Sequence, residues 1–89
     1  MRSELTKSAE DIFGFLGYAE NILSIGKCST RLRLNLVDKK IVDISQFKKV
    51  DGVLGVVETR EQLQIIMQPK KAKSLINEFI KIYKIKKTN

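Results

Sequence analysis

The 89-residue chain predicts an α+β fold in which a four-stranded antiparallel sheet carries three helices on one face. Three observations lead to this prediction. Helical and strand-like patterns of apolar residues alternate along the chain in the order α-β-β-α-β-β-α. Short connections join the first strand to the second and the third to the fourth, so both pairs are antiparallel. Each amphipathic helix needs an apolar surface to cover, and one face of a single sheet provides it for all three.

The chain opens with a predicted helix over residues 3–16. Its apolar residues recur at helical spacing, while charged residues occupy the other side. Gly17 follows as a stop signal, because glycine is common directly after a helix. Residues 22–28 then predict the first strand, and the short step to the next strand places Cys28 at a sheet end.

The second predicted strand, residues 30–37, has the clearest alternation in the chain. Successive side chains of a strand point to opposite faces. Arg31, Arg33 and Asn35 therefore share one face, and the three leucines between and after them share the other. We expect the leucines to face the helices and the two guanidiniums to point to the open face or the sheet edge.

The second half of the chain predicts a short helix and a second hairpin. Residues 42–50 begin with a strong start signal, in which Asp43 is the N-cap and Gln46 completes a capping box. Residues 52–58 and 62–67 predict the third and fourth strands from their β-branched and alternating apolar residues.

The last element is a helix that begins at Pro69, which is favoured in the first turn. Its apolar residues follow helical spacing without a break as far as Tyr83. We therefore predict one domain over residues 1–83, followed by a basic tail or linker start over 84–89. A lysine run of this kind is more typical of a solvated face or a frayed end than of a binding site.

The composition excludes several classes of protein. No apolar run approaches the roughly 20 residues of a membrane span. One cysteine cannot form an internal disulfide, which favours a reducing, cytoplasmic location. One cysteine and no histidine argue against zinc, iron–sulfur and haem sites, so neither a metal nor a cofactor is expected. The net charge of +7 raises the question of nucleic acid, but no recognition motif accompanies it, and we expect no such partner.

The candidate site surrounds the single cysteine. By default a lone cysteine in a small protein is a buried small hydrophobe. Here Cys28 follows Lys27 and precedes two arginines. Nearby cations favour the thiolate, which is the nucleophilic form, and guanidinium forks match phosphate oxygens. Ser29 and Thr30 add hydroxyls and backbone N–H groups that can hold such oxygens. The pattern indicates a phosphorylatable nucleophile beside a phosphate clamp.

The string Cys-x-Thr-Arg-Leu-Arg, preceded by Glu-Asn-Ile, resembles the B component (EIIB) of the glucose family of the bacterial phosphoenolpyruvate-dependent sugar phosphotransferase system. The resemblance extends over residues 9–83 and includes the stretches 52–58 and 62–67. It implies a cytoplasmic phosphocarrier domain at the inner face of the membrane. In that family a cysteine accepts a phosphoryl group from a phosphohistidine of the EIIA component. The cysteine then passes the group to a sugar bound in the membrane component EIIC.

The resemblance also assigns roles to individual residues. It implies that Cys28 is the phosphorylated nucleophile, and that Arg31 and Arg33 hold the phosphoryl group and help its onward transfer. Thr30 lies within the motif, and with Ser29 and Lys27 it is a candidate to support the phosphate loop. The implied partners are EIIA, EIIC and the sugar that EIIC holds, and no cofactor or metal is implied.

Two other interpretations stay open, and the chain departs from the family pattern in places. One alternative is a regulatory or binding module on the same fold that phosphorylates no sugar. The other is a small basic nucleic-acid binder. Tyr18 stands where a second glycine often follows Gly17 in the family, and Gln68 stands where a glycine often follows the fourth strand. Neither departure removes a catalytic group, but both bear on the loop conformations.

Overall fold

The computed structural model describes residues 3–87 and has the predicted α+β architecture. Its elements are α1 (Glu4–Phe15), β1 (Ile22–Lys27), β2 (Arg31–Leu36), β3 (Val53–Glu58), β4 (Leu63–Met67) and α2 (Pro69–Lys87). Shorter 3-10 helices cover Ala19–Asn21, Lys39–Ile41 and Ile44–Lys49. Each strand agrees with its predicted range to within one residue at either end. The predicted fold class is confirmed.

The sheet is antiparallel throughout, with the strand order β1-β2-β4-β3. The sequence alone did not predict this order. Each hairpin contributes one central strand, and the pairing of β2 with β4 joins the two hairpins. In this pairing Leu32 lies opposite Ile65 and Leu34 lies opposite Leu63, so these side chains share one face of the sheet.

The helices cover that face and enclose the core. The leucines of β2 are buried as expected, with Leu32 and Leu34 at 0% exposure. Phe47 of the 3-10 helix Ile44–Lys49 and Phe79 of α2 are also fully buried in the same core. The ring of Phe13 in α1 meets that of Phe79 edge to face at 6.1 Å, so α1 and α2 pack against each other as well as on the sheet.

The middle helix differs from the prediction in type. Residues 42–50 predict an α-helix with a capping box, but the structure has a 3-10 helix there. Asp43 is the N-cap, but its carboxylate accepts from the backbone N–H and the hydroxyl of Ser45, at 3.1 and 2.6 Å. The N–H of Gln46 donates instead to the Asp43 carbonyl oxygen at 3.2 Å. A side-chain bond two residues on closes a tight local turn, which competes with α-helical geometry.

The C-terminal helix is longer than the sequence indicates. α2 continues to Lys87, past the predicted boundary at Tyr83. Lys84 and Lys86 are therefore helical residues and not part of an irregular tail. Basic side chains in the last turn are favourable there, because they interact with the partial negative charge of the helix end. The other predicted tail residues, 88 and 89, lie outside the described residues, and the domain boundary itself stays a prediction.

Candidate active site at the first hairpin turn

Cys28 lies in the turn that joins β1 to β2. Its backbone N–H donates to the carbonyl oxygen of Arg31 at 2.9 Å, so Ser29 and Thr30 form a two-residue connection. The carbonyl oxygen of Thr30 accepts from the N–H of Met67 at 2.8 Å, at the end of β4. The turn is therefore held both by its own hairpin and by the neighbouring strand. The thiol is exposed, unlike that of a cysteine that only fills a core.

A depression opens beside the thiol on the helix-covered side of the sheet. Its lining residues are Lys27, Cys28, Ser29, Lys73, Ile76 and Asn77. The last three belong to α2, which brings its first half against the hairpin turn. Sequence reasoning missed Lys73 and Asn77, because their i, i+4 spacing on the exposed side of a helix carries no sign of a nearby thiol.

The two arginines lie on the other side of the sheet. Arg31 donates from Nη1 to Oε1 of Gln64 at 2.9 Å. Arg33 is exposed and lies opposite Gln64 in the pairing of β2 with β4. The burial alternation that the sequence predicts is thus observed. Within residues 3–87, neither arginine lines the depression beside Cys28. The structure therefore places the thiol at the end of the sheet. Lysines lie on its helix-covered side, and the arginines lie on the open face.

A buried asparagine fixes the far end of the same hairpin. Asn21, 5% exposed, donates from Nδ2 to the carbonyl oxygens of Leu16 and Asp38, at 2.8 and 3.0 Å. Its Oδ1 accepts from the N–H of Asp38 at 2.8 Å. One side chain thereby connects the end of α1, the start of β1 and the chain after β2. This gives a structural reason for an asparagine directly before β1.

The exposed thiol and the cations beside it are chemically suited to phosphoryl transfer. No group of three or more His, Cys, Asp or Glu side chains within residues 3–87 is arranged to hold a metal ion. In the same part of the chain, no helix has the length and apolarity to cross a membrane. An exposed thiol can act as a nucleophile, and cations beside it can stabilise the charged oxygens of a transferred group.

Comparisons with known proteins agree with this site and fold. Residues 10–43, which include the cysteine motif, match the model of the family described as phosphotransferase system, EIIB. A solved structure described as one domain of the PTS system, IIabc component from Clostridium difficile is similar, with a TM-score of 0.71 and 34% identity. The similarity covers 85% of this chain and 75% of that chain. Fold and sequence together define a phosphotransferase-system domain.

Three curated relatives illustrate the match. An N-acetylmuramic acid-specific EIIBC component of Pasteurella multocida (strain Pm70) is 54% identical over 57 residues, 64% of this chain and 12% of that protein. The component of the same name from Vibrio parahaemolyticus is 38% identical over 78 residues, 84% of this chain and 16% of that protein. A MurNAc-GlcNAc-specific EIIBC component of Staphylococcus aureus (strain USA300) is 31% identical over 78 residues, 88% of this chain and 16% of that protein.

The chain belongs to the EIIB family of the phosphotransferase system. It spans 12–16% of the length of these curated relatives.

Proposed function

We propose that this chain is a glucose-type phosphocarrier domain in which Cys28 accepts a phosphoryl group from a phosphohistidine of an EIIA component. Cys28 then passes the group to a sugar bound by a membrane EIIC component. The observation that supports this most directly is the exposed Cys28 thiol at a hairpin turn, with cations on both sides. The relatives are EIIBC components, which supports EIIC as a partner, fused or separate. No cofactor is needed for either transfer.

The chemistry consists of two substitutions at phosphorus. First, the Cys28 thiolate forms an S–P bond while the N–P bond of the phosphohistidine breaks, and the imidazole nitrogen leaves with the electron pair. Next, a sugar hydroxyl oxygen forms an O–P bond while the S–P bond breaks, which regenerates the thiolate and releases the hydroxyl proton. Phosphoryl transfer passes through a loose transition state with charge on the equatorial oxygens, so positioned cations supply most of the catalysis.

In this proposal Arg31 and Arg33 act mainly in the second transfer. Both are on the open face of the sheet, next to the turn that holds the thiol. Guanidinium forks hold phosphoryl oxygens in a fixed geometry. The backbone and hydroxyls of Ser29 and Thr30, together with Lys27, support the phosphoryl group at the turn itself.

The relatives also support a class of sugar. The three named proteins are specific for N-acetylmuramic acid or for MurNAc-GlcNAc. We therefore propose a sugar that contains N-acetylmuramic acid, recognised by EIIC and not by this chain. Membranes that contain the cognate EIIC should support phosphorylation of N-acetylmuramic acid in preference to glucose.

Intact-mass analysis after incubation with a phosphorylated EIIA component tests the phosphocarrier role. The parent chain should gain one phosphoryl group, and Cys28→Ser should gain none. Addition of EIIC membranes and sugar should then remove the group from the parent. A group retained by Cys28→Ser would contradict the assignment of the nucleophile. A group that is gained but never passed to sugar would favour the regulatory module instead.

A further inference from the structure

The depression beside Cys28 carries polar groups that neither of the two proposed transfers uses. Lys73 and Asn77 of α2 line it together with Lys27 and Ser29 of the hairpin turn. Its volume of about 480 Å³ far exceeds the roughly 30 Å³ that a water molecule occupies in the liquid. A phosphoryl group on the sulfur atom of Cys28 therefore fits inside the depression.

Packing of α2 on the core fixes where these two helical residues stand. Lys73 and Asn77 are four residues apart, so they lie on one side of the helix and about 6 Å apart along its axis. Ile76, directly before Asn77, lines the same depression and is 2% exposed. Because this turn of the helix is buried on one side, the backbone of both polar residues is held beside the turn that carries the thiol.

Within residues 3–87, neither of these two polar side chains has a hydrogen-bond or ion-pair partner. Both Lys73 and Asn77 are exposed. On the open face of the sheet, by contrast, Arg31 donates a hydrogen bond to Gln64. An ammonium group has three N–H donors and an amide group has two, so the helix side offers free donors to the oxygens of a group on sulfur.

A phosphoryl group on Cys28 can face two different sets of donors. The thiol is exposed at the end of the sheet, with the depression on one side and the open face that bears Arg31 and Arg33 on the other. A cysteine side chain has three staggered positions about its Cα–Cβ bond. Rotation about this bond moves a group on sulfur between the two sides without breaking a bond.

We propose that Lys73, assisted by Asn77, binds the phosphoryl group of phosphorylated Cys28 in the depression on the helix side. The inference rests on the proposed function, because it assumes a phosphocysteine at this position. Lys73 is then a phosphoryl-binding residue of the loaded chain, whereas Arg31 and Arg33 act in onward transfer. The loaded group rests against α2 until rotation of the Cys28 side chain brings it to the arginines.

The equilibrium of phosphoryl exchange between EIIA and this chain tests the role of Lys73. Lys73→Gln removes a cation that contacts the loaded group, so the equilibrium constant for loading should fall about 5- to 10-fold. The matched control is Lys81→Gln, which removes the same charge from an exposed position about 12 Å further along α2. The control should stay within about 2-fold of the parent, because salt screens charges at that distance. Lys73→Arg keeps the cation and should also stay within about 3-fold.

The second ionisation of the phosphocysteine gives a readout that a purely structural role of Lys73 would not move. The charged groups on the two sides of the phosphoryl group are Lys27 and Lys73 in the depression and Arg31 and Arg33 on the open face. A cation favours the dianion, so Lys73→Gln should raise the pKa of this ionisation by about 0.5. The ³¹P chemical shift followed against pH measures it, and Lys81→Gln should leave it unchanged.

Onward transfer separates the helix side from the open face. Once the chain is loaded, the rate of transfer to sugar should not fall in Lys73→Gln, because the loss destabilises the loaded group and leaves the arginines in place. In Arg33→Lys the opposite pattern is expected, with normal loading and slower transfer. A fall in the transfer rate of Lys73→Gln as steep as that of Arg33→Lys would contradict the separate roles.

The outcomes distinguish this inference from the proposed function. If the parent gains no phosphoryl group on Cys28, the proposed function fails and the inference fails with it. If the parent is loaded but Lys73→Gln matches Lys81→Gln in both measurements, only the role of Lys73 is overturned. A slower approach to an unchanged equilibrium in Lys73→Gln would also overturn it, because Lys73 would then act on the donor and not on the loaded group.

Circular dichroism checks that each variant is folded. If Lys73→Gln is misfolded, Asn77→Ala decides instead, because alanine is favoured in a helix and removes only the neutral donor. A fall of about 2-fold or more in the equilibrium constant for loading supports the inference, and an unchanged constant contradicts it.

Discussion

Arg31 and Gln64 are joined across the pairing of β2 with β4 by a hydrogen bond of 2.9 Å from Nη1 to Oε1. Gln64 in turn donates from Nε2 to Oε1 of Gln62 at 3.2 Å. The guanidinium is therefore held in a defined orientation over the open face of the sheet. A guanidinium has five N–H donors, and this bond uses one of them, so Arg31 can be held by Gln64 and still bind phosphoryl oxygens.

Gln64→Met should weaken onward transfer to sugar without affecting the loading of Cys28 by EIIA. Methionine keeps the length of the side chain but removes the acceptor, so Arg31 must be ordered at the moment of transfer. We expect the rate of sugar phosphorylation to fall about 3- to 10-fold. Gln62→Met removes only the hydrogen bond that Gln62 accepts from Gln64. This variant is the control and should change the rate less. An unchanged rate in Gln64→Met would show that Gln64 does not position the arginine.

Arg31→Lys and Arg33→Lys should impair transfer more than folding. Lysine keeps the charge but loses the planar fork that binds two oxygens. A hydrogen bond to a charged group contributes roughly 1.5–3 kcal/mol, which corresponds to a fall of about 10- to 100-fold in the sugar phosphorylation rate. Thermal melts should stay close to the parent. If both variants unfolded, or if both transferred normally, the arginines would be structural or incidental.

Asn21→Leu should be among the more destabilising substitutions outside the apolar core. It leaves the carbonyl of Leu16 and both backbone polar groups of Asp38 without their partner. An unsatisfied buried group costs about 1–3 kcal/mol, and the two bonds to Asp38 are only part-buried, so we expect a loss of roughly 3 kcal/mol in the free energy of unfolding. Urea denaturation measures it, with Glu20→Gln at the exposed neighbouring position as the control. A loss below about 1 kcal/mol would mean that water replaces the missing bonds.

Tyr18 adopts φ 65° and ψ −171°, a region that is almost confined to glycine. Tyr18→Gly and Tyr18→Ala both lose the edge-to-face contact with Phe13. The difference in stability between the two variants therefore reports the strain of the backbone at this position. We expect the glycine variant to be more stable than the alanine variant by about 1 kcal/mol or more, although glycine usually costs stability through its unfolded-state entropy. Calorimetry of the two proteins under the same conditions gives the difference. Greater stability of the alanine variant would show that the backbone at this position is unstrained.

The spacing of apolar residues predicted the helices and strands well, because buried side chains recur with the period of each kind of element. The alternation around Leu32 and Leu34 marks the covered face of β2, and the spacing that leads to Phe79 marks the buried stripe of α2. The alternation also predicted the face of the arginines, and the short step between β1 and β2 predicted that Cys28 lies at a sheet end. The family resemblance also identifies Tyr18 as a departure from glycine, although its backbone angles do not follow from the sequence.

Other features depend on information that local patterns lack. The strand order requires β2 to fit β4, and the residues that pair there, such as Leu34 and Leu63, are far apart in the chain. The 3-10 geometry after Asp43 results from a bond to Ser45 that competes with the expected cap. Lys73 stands on an exposed stripe, and exposure alone does not say which exposed residue lies beside a thiol.

The hydrogen bond from Met67 to Thr30 has a further consequence for how the molecule can be divided. It lies within the strand pairing that joins the two hairpins, next to the turn that holds Cys28. A polypeptide nicked between β3 and β4 would keep the cysteine motif intact, yet the thiol would lose the strand and helix beside it whenever the pieces separated. Under the proposed function, phosphoryl acceptance would then depend on reassociation of the pieces, so the two fragments would make a complementation pair whose readout is a phosphorylated cysteine.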